Sequence, residues 1–357
     1  MFKFPELVIN IEKIKENARK VVQLCSENSI EVWGVSKGLS GNPRVARAML
    51  EGGCVGIADS RMKNIVSMKE AGIDGPFMLL RIPMVSELDL VAKYADVTLI
   101  SMKETISLLE KACRKEGRQC EVIIMVDVGD LREGIWPDEA EDIGNVLRGC
   151  EFVKFAGVGS NLGCLSGVIP TAENLTMLVE TGKKIANMVG NPLKYVSGGG
   201  TSSLKLVEDG IMPPEVNQLR IGEAILLGTD VTRDRVIPYL HDDAIEVCAE
   251  IVECRRKPSS PIGEVGADAF GNVPHFEDRG IRFRAIAAIG RQDVRLEGLT
   301  PLEEGLEIIG ASSDHLTMDA EDMKNKLKVG DVIRFKVDYG AMLAASTSRY
   351  VNIRIVS

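Results

Sequence analysis

The sequence has few aromatic residues, very few histidines and no long apolar run. Aromatic residues make up 4% of its 357 residues, and its three histidines, His241, His275 and His315, lie far apart. Zinc sites take several histidine or cysteine ligands at short spacing, so we expect no metal. A helix needs roughly 20 apolar residues to cross a bilayer. We therefore expect no membrane span, and the first residues also lack the pattern of a secretory signal.

The sequence also lacks an excess of positive charge. Its formal net charge is −9, whereas proteins that bind nucleic acids need a basic face to neutralise phosphates. The eight cysteines form no CxxC pair, and several lie within apolar runs. Buried, reduced thiols explain this pattern more simply than metal ligands do. The sequence thus predicts a cytoplasmic protein that acts on small molecules, with no nucleic-acid or membrane partner.

The first two-thirds of the chain alternates short apolar runs with amphipathic stretches. Eight runs are candidate strands: Val32–Val35, Val55–Ala58, Phe77–Leu80, Val97–Ile100, Val122–Val126, Phe155–Val158, Tyr195–Ser197 and Leu219–Gly222. Runs without polar alternation indicate burial on both faces, as in a parallel sheet. Helical patterns lie between them. Eight strand–helix units in series predict an α/β fold with a TIM-like (β/α)8 barrel, rather than an open doubly wound sheet.

The pattern changes after about residue 235. Apolar segments such as Ala244–Glu253, Ile281–Ile289 and Val332–Val337 are separated by Gly, Pro and Asp turns, with little helical periodicity. This pattern is typical of β-structure. We therefore expect a barrel over residues 1–235 and a mostly β C-terminal domain over residues 236–357.

Polar residues follow nearly every predicted barrel strand, where barrel enzymes place their active sites. Among them are Lys37, Asp59, Arg81, Arg132, Ser160, Asn161, Ser197, Arg220 and Glu223. Burial at a strand end lowers the pKa of a lysine, and a neutral amine can form a Schiff base with an aldehyde cofactor. Alternatively, the side chain of Lys37 extends from the strand end into solvent. The position of Lys37 in the sequence does not decide between a buried, reactive amine and an exposed one.

The segment Ser197-Gly-Gly-Gly-Thr-Ser-Ser203 follows the seventh predicted strand. Glycines let the backbone approach a phosphate, and hydroxyls and free amides donate hydrogen bonds to it. Such runs are also common in ordinary turns. Barrels often bind phosphate in the loops after strands seven and eight, so Leu219-Arg-Ile-Gly-Glu223 would form the other half of the site.

Four motifs occur in the order found in alanine racemase and its barrel relatives: Val35-Ser-Lys37, Val126-Asp-Val-Gly-Asp-Leu-Arg-Glu-Gly134, the Ser/Gly loop and Arg220-Ile-Gly222. The chain resembles this family over nearly its whole length. Its sequence is most similar to the ornithine racemase branch at Leu80-Arg-Ile-Pro83 and Gly310-Ala-Ser-Ser-Asp-His315. The resemblance implies a homodimeric racemase that uses pyridoxal 5'-phosphate and interconverts L- and D-ornithine or a similar basic amino acid.

The resemblance also implies roles for individual residues. Lys37 would carry the cofactor as a Schiff base and act as one of two proton-transfer bases. Arg132 would lie near the cofactor phenolate and the substrate carboxylate, and Arg220 would hydrogen-bond the pyridine nitrogen. A permanently charged arginine there disfavours a pyridinium and weakens the electron sink. The other cofactor-binding positions would be Asn161, Ser197, Thr201, Ser202, Gly222 and Glu223.

The sequence departs from the family pattern at three places. Gly41 stands where alanine racemase has a tyrosine, and Asn161 replaces a ring-stacking histidine. The motif that carries the opposing tyrosine base in the second domain reads Gly290-Arg-Gln-Asp293 here. Because racemisation is served best by two groups on opposite faces of the α-carbon, another base is needed.

His315 and Asp314 are the candidates for this second base, with Asp268 and Tyr339 behind them. Histidine exchanges protons near neutral pH, although His315 also fits a simple β-turn position. In the resembling family this segment belongs to the partner subunit, so the active site would be shared across the dimer. Ser313 would bind the substrate carboxylate through its amide, and Asp268 would pair with a basic side chain.

Other functions remain open on sequence grounds. The same barrel class includes alanine racemases, and decarboxylases or aldolases that use the same cofactor. A third alternative is a non-enzymatic protein that binds the cofactor and serves its supply. Barrel relatives with this role resemble the barrel alone, so the predicted β domain argues against this function.

Overall fold

The computed structural model describes residues 3–357, beginning with the short strand β1 (Glu6–Asn10). Eight parallel strands then form a closed barrel. These strands are β2 (Glu31–Val35), β3 (Gly56–Asp59), β4 (Phe77–Leu79), β5 (Val97–Ile100), β6 (Cys120–Met125), β7 (Val153–Gly159), β8 (Tyr195–Ser197) and β9 (Gln218–Ile221). Strand β9 closes the barrel by pairing with β2. The predicted (β/α)8 barrel is confirmed.

Helices precede, connect and follow the barrel strands along the chain. They are α1 (Ile11–Ser26), α2 (Pro43–Glu51), α3 (Met62–Glu70), α4 (Leu88–Tyr94), α5 (Lys103–Glu116), α6 (Ala140–Arg148), α7 (Ala172–Val189), α8 (Leu204–Glu208) and α9 (Glu223–Leu227). Local sequence explains several boundaries. The Asn42 side chain accepts hydrogen bonds from two backbone amides at the start of α2, where Pro43 occupies the first turn. Helix α7 begins at a Thr171 capping box and ends at Gly190.

Apolar side chains fill the interior of the barrel. Trp33, Met78, Leu99 and Ile123 are among the buried residues of this core. Strand β7 carries a register irregularity against β6, next to Gly157. Gly157 has a φ of 153°, and a Cβ there would lie 1.8 Å from the carbonyl oxygen of Tyr195. Only glycine therefore permits this close approach of β7 to β8.

The remaining strands are short or belong to a second sheet. Strands β10 (Thr229–Asp230) and β11 (Arg235–Val236) form a small hairpin. The second sheet contains β12 (Ile245–Pro258), β13 (Ile281–Ala287), β14 (Leu299–Pro301), β15 (Glu307–Ala311), β16 (Leu316–Asp319), β17 (Val332–Val337) and β18 (Asn352–Val356). Its order is β14-β17-β12-β13-β16-β15, with antiparallel pairing throughout this path. Helix α10 (Tyr339–Thr347) precedes β18. The predicted mostly β C-terminal domain is confirmed.

The structure divides the chain at positions that differ from the expected boundary between residues 235 and 236. One compact unit is Ile11–Asp242, and the other combines Met1–Asn10 with Asp243–Ser357. Strand β1 belongs to the second unit because it pairs with β12 and β18. Residues after 235 stay with the barrel because Asn17 exchanges two hydrogen bonds with the backbone of His241, at 2.9 and 2.7 Å.

Across residues 3–357, every helix is too short or too polar to span a membrane.

Candidate active site

Lys37 follows β2 and Ser36, at the start of a 3-10 turn. Its side chain is half-buried, and burial lowers the pKa of its amine. The Arg132 guanidinium lowers this pKa further, whereas three nearby acidic groups oppose the shift: Cys164, Asp59 and Glu133. A lysine with a lowered pKa is neutral more often near neutral pH, and the neutral amine is the nucleophile.

Asp59 ends β3 and is fully buried. Its carboxylate accepts hydrogen bonds from Ser36 Oγ at 2.7 Å, from the Arg61 amide at 2.9 Å and from Asn64 Nδ2 at 2.9 Å. Burial raises the pKa of Asp59, while the three hydrogen bonds act in the opposite direction. The residue that precedes Lys37 is thus tied to the end of the neighbouring strand.

Arg132 lies on the loop after β6, and hydrogen bonds within this loop define its path. Asp127 Oδ1 accepts hydrogen bonds from the amides of Gly129 at 2.9 Å and Leu131 at 3.2 Å. The loop closes at Gly134, where a Cβ would lie 2.3 Å from the Asp127 nitrogen. Gly134 has a φ of 147°, and Leu131 adopts a left-handed φ of 56°. The backbone on both sides of Arg132 is therefore held in an uncommon conformation.

A polar network connects Arg132 with Arg220. The Arg132 guanidinium donates to the Glu133 carboxylate, and Asn161 Nδ2 donates to the same carboxylate. Asn161 Oδ1 in turn accepts a hydrogen bond from Arg220 Nη2 at 3.1 Å. Arg220 Nη1 also donates to Ser197 Oγ. The structure thus brings four of the predicted site residues into one network.

Arg220 lies on β9 and is buried. Burial lowers the pKa of its guanidinium to about 10, an effect that Glu133 opposes and Arg132 reinforces. Arg220 Nη2 donates to the carbonyl oxygen of Ser160 at 2.6 Å. At neutral pH Arg220 therefore remains a cation that can donate hydrogen bonds but cannot accept them.

The Ser/Gly loop after β8 contacts the chain segment after β9. Thr201 Oγ1 accepts a hydrogen bond from the Ala224 amide at 3.2 Å. Ser202 Oγ donates to the carbonyl oxygen of Leu162 at 3.0 Å. Gly222 precedes α9, and a Cβ there would lie 3.1 Å from Val35 Cβ. The Ser/Gly loop and the start of α9 are thus in contact, and hydroxyls and backbone amides at such a place are groups that can bind a phosphate.

The side chain of Glu223 is hydrogen-bonded to other residues of the barrel unit. Its Oε1 accepts hydrogen bonds from Thr229 Oγ1 at 2.7 Å and from the Val231 amide at 2.9 Å. Only its backbone amide is therefore suited to a phosphate. Ser160, whose carbonyl oxygen binds Arg220, has a buried Oγ without a hydrogen-bond partner among residues 3–357, and a bound polar group would provide one. These observations fit a phosphorylated aldehyde cofactor.

The predicted second-unit residues lie on two adjacent segments, 290–293 and 312–315. A side chain at Gly290 would clash with the backbone, since its Cβ would lie 2.1 Å from the carbonyl oxygen of Ser313. The Asp314 carboxylate accepts hydrogen bonds from Gln292 Nε2 and from Ser313 Oγ, the latter at 2.8 Å. His315 is exposed. The segment that departs from the family motif, 290–293, thus lies beside the segment that carries His315.

Asp268 shapes the loop between β12 and β13. Its Oδ1 accepts hydrogen bonds from the amides of Phe270 and Asn272, both at 2.9 Å. Hydrogen bonding to the Asn272 backbone is the main reason that the pKa of Asp268 is lowered. The Phe270 ring packs on the Arg291 guanidinium, 5.3 Å from ring centroid to Cζ. Asp268 and the 290–293 segment are thereby neighbours within this unit.

Glu133 and Ser36 contact predicted site residues, yet no role was expected for either. Glu133 adjoins Arg132 in the sequence, and an acid next to a site arginine is the signal that would have found it. Cys164 accepts a hydrogen bond from Arg132 Nη1 at 2.9 Å, a contact that only the folded loops reveal. No group of three or more potential metal-ligating His, Cys, Asp or Glu side chains occurs within residues 3–357.

The closed barrel, with a half-buried lysine after β2 and a glycine- and hydroxyl-rich loop after β8, has the architecture of a barrel enzyme. Residues 9–230 match the family described as alanine racemase, N-terminal domain. The chain belongs to this family, and the resemblance inferred from four short motifs is confirmed.

Two relatives are similar over almost their full length. The lysine racemase of Thermotoga maritima is 44% identical over 348 residues, covering 98% of this chain and 97% of the relative. The ornithine racemase of Acetoanaerobium sticklandii is 40% identical over 351 residues, covering 98% of each chain. The expected function, an amino-acid racemase, agrees with both names.

The solved structure of alanine racemase from E. faecalis has a TM-score of 0.73 to this chain at 18% identity. The alignment covers 99% of this chain and 98% of that structure. At this identity the likeness concerns the fold, which includes both the barrel and the second unit.

Proposed function

We propose that this protein is a pyridoxal 5'-phosphate-dependent racemase that interconverts the L- and D-forms of ornithine or lysine. The observation that carries the proposal is a lysine of lowered pKa at the barrel rim, next to Arg132. The substrate class rests on the two relatives named as racemases of ornithine and lysine, which both carry a side-chain ammonium group.

The cofactor would be held by residues of the barrel unit. Lys37 would bind it through Nζ, and its phosphate would rest on Thr201, Ser202 and the backbone amides of Gly222 and Glu223. Its ring would contact Ser197, Asn161 and Arg220. When bound, pyridoxal phosphate stabilises the negative charge that develops on the α-carbon of an amino acid.

Three side chains of the barrel unit have separate roles in the reaction. Lys37 Nζ exchanges a proton with one face of the α-carbon. Arg132 binds the substrate carboxylate, for which a guanidinium has matching geometry. Arg220 stays protonated because its pKa of about 10 lies well above neutral pH. A permanent cation at this position limits how much charge the ring accepts and so restricts side reactions.

The second base acts on the opposite face of the α-carbon. We propose His315 of the partner subunit for this role, with Asp314 of the partner subunit beside it, in a homodimer with shared sites. The Ser313 amide of the partner subunit would bind the substrate carboxylate, and Asp268 of the partner subunit would pair with the substrate's side-chain ammonium. The loop that carries Asp268 also exposes Ile262 and Val273, at 90% and 74%, and such apolar side chains favour burial against a partner.

The activity is tested by incubating the holoenzyme with L-ornithine, L-lysine and L-alanine and separating the products by chiral chromatography. We expect D-ornithine or D-lysine with the wild type and none with Lys37→Ala. The exposed Lys63→Ala is the matched control and should retain full activity. If none of the three amino acids loses its chirality, the proposed racemase activity is wrong.

The shared site is tested by mixing subunits. We expect Lys37→Ala and His315→Ala each to be inactive as homodimers, whereas random subunit exchange would form one intact site in each hybrid. We expect recovery of about one quarter of wild-type activity, because half of the dimers would be hybrids with one intact site of two. No recovery after verified exchange would contradict the sharing of sites between subunits.

A further inference from the structure

Glu133 lies between the two arginines of the site. Its carboxylate accepts hydrogen bonds from the guanidinium of Arg132 and from Nδ2 of Asn161. Asn161 in turn receives a hydrogen bond from Arg220. Only about 20% of the Glu133 side chain is exposed, compared with 32% of Arg132. A single carboxylate therefore links the residue proposed for substrate binding to the residue proposed for the cofactor ring.

We propose that Glu133 is a positioning residue that fixes the Arg132 guanidinium and leaves the edge that carries Nη1 for the substrate carboxylate. The inference rests on the proposed function for the role of Arg132, whereas the fixed orientation of Arg132 stands on the contacts alone.

The contact between Glu133 and Arg132 is bidentate. Arg132 Nη2 donates to Oε1 of Glu133, and Arg132 Nε contacts Oε2. Two parallel contacts between planar groups fix the orientation as well as the distance of the guanidinium. The remaining nitrogen, Nη1, donates to Cys164 Sγ at 2.9 Å. A thiol is a weak acceptor, so a carboxylate would displace it readily.

Backbone geometry supports the same orientation. Leu131 and Gly134, which flank Arg132 and Glu133, both have positive φ values, of 56° and 147°. Leu131 is held in its left-handed conformation only by its surroundings, and Gly134 packs directly against the Asp127 backbone, so this loop does not rearrange freely. Adjacent residues on a regular strand would point to opposite faces, and this loop instead lets Arg132 and Glu133 pair directly.

Charge balance gives Glu133 a second effect. Its carboxylate raises the pKa of Lys37 and of Arg220, whereas Arg132 lowers both. Glu133 therefore offsets the repulsion that Arg132 exerts on the two other cations of the site. A neutral residue at this position would leave three basic groups without that compensation.

The orientation of Arg132 is tested first in apoprotein, without any turnover. Wild type, Glu133→Gln and Glu133→Asp are treated with phenylglyoxal, and modification of Arg132 is followed by peptide mass spectrometry. We expect Arg132 to be modified about tenfold faster in Glu133→Gln, because a charge-assisted pair is lost. Glu133→Asp keeps the charge but is shorter, and should give an intermediate rate. The exposed Glu27→Gln is the matched control and should behave like wild type.

Racemisation kinetics provide the second readout. We expect Glu133→Gln to raise KM about tenfold, with a smaller change in kcat, because the substrate carboxylate loses an oriented partner. Melting temperatures identify a variant that has lost its fold, in which case Glu133→Asp carries the test. Equal rates of Arg132 modification in all variants would overturn the proposal. A wild type without racemase activity would overturn the proposed function, while the modification rates would still decide the orientation.

Discussion

Ser36 Oγ donates a hydrogen bond of 2.7 Å to Asp59 Oδ2, and both side chains are fully buried. This bond joins the residue before Lys37 to the end of the neighbouring strand β3. The other carboxylate oxygen of Asp59 accepts from the Arg61 amide and from Asn64 Nδ2, both at 2.9 Å. The position of Ser36, next to Lys37, thus depends on a residue that ends another strand.

Replacement of Asp59 tests this dependence. In Asp59→Ala three donors lose their acceptor, so we expect the free energy of unfolding to fall by about 2–4 kcal/mol, measured by urea denaturation. Asp59→Asn should cost less, because its amide oxygen still accepts and burial already disfavours the charged carboxylate. The exposed Asp74→Ala is the control. An Asp59→Ala protein as stable as this control would show that the three contacts contribute nothing.

The pH dependence of Lys37 reactivity depends on Arg132. The guanidinium lowers the pKa of Lys37, so Arg132→Met should raise it. The neutral amine would then be populated only at higher pH, and the apoprotein's reaction with pyridoxal phosphate should shift in the same direction. Absorbance of the adduct against pH measures the shift, and Arg148→Met is the exposed control. A shift to lower pH would contradict the assigned direction.

The barrel was predictable because its strands are continuous apolar runs with clear ends. The runs predicted at Val97–Ile100 and Tyr195–Ser197 coincide with β5 and β8. The division of the chain into its two units was harder to predict from the sequence. Strand β1 follows the usual alternation of buried side chains, but its partners β12 and β18 lie at the other end of the chain. Local sequence signals carry no information on so distant a pairing.

The site was predictable as a set of strand-end residues, but its contacts were not. Position along a strand indicates that Lys37 and Arg220 share a rim, whereas the link between Arg132 and Arg220 runs through Glu133 and Asn161. These contacts depend on loops with positive φ values, which short motifs do not specify. The roles of His315 and Asp314 remain predictions, tested by the mixed dimers.

Cys164 should be the most reactive of the eight cysteines. It is exposed and accepts a hydrogen bond from Arg132, whereas burial raises the pKa of Cys150 to about 11. A thiol reagent reaches an exposed thiol more readily than a buried one. Titration of the native apoprotein with a thiol-disulfide reagent should therefore show one fast thiol, which Cys164→Ser removes. A fast phase that survives in Cys164→Ser would assign the reactivity to another cysteine.

Gly134 closes the loop that carries Arg132, and a side chain there has no room. A Cβ would lie 2.3 Å from the backbone nitrogen of Asp127, and the φ of 147° is unfavourable for any L-residue. Because the clash is with backbone, Gly134→Ala should lower the free energy of unfolding by about 3 kcal/mol.

The matched control for Gly134→Ala is Gly149→Ala, whose φ of −85° suits alanine and whose nearest contact is 3.4 Å away. This variant should be as stable as the wild type or slightly more stable. Urea denaturation measures both variants, and hydrogen exchange of the loop that holds Arg132 should increase only in Gly134→Ala, because the closing contact with Asp127 is lost. Equal stability of the two variants would mean that the loop accommodates a side chain and does not hold Arg132 rigidly.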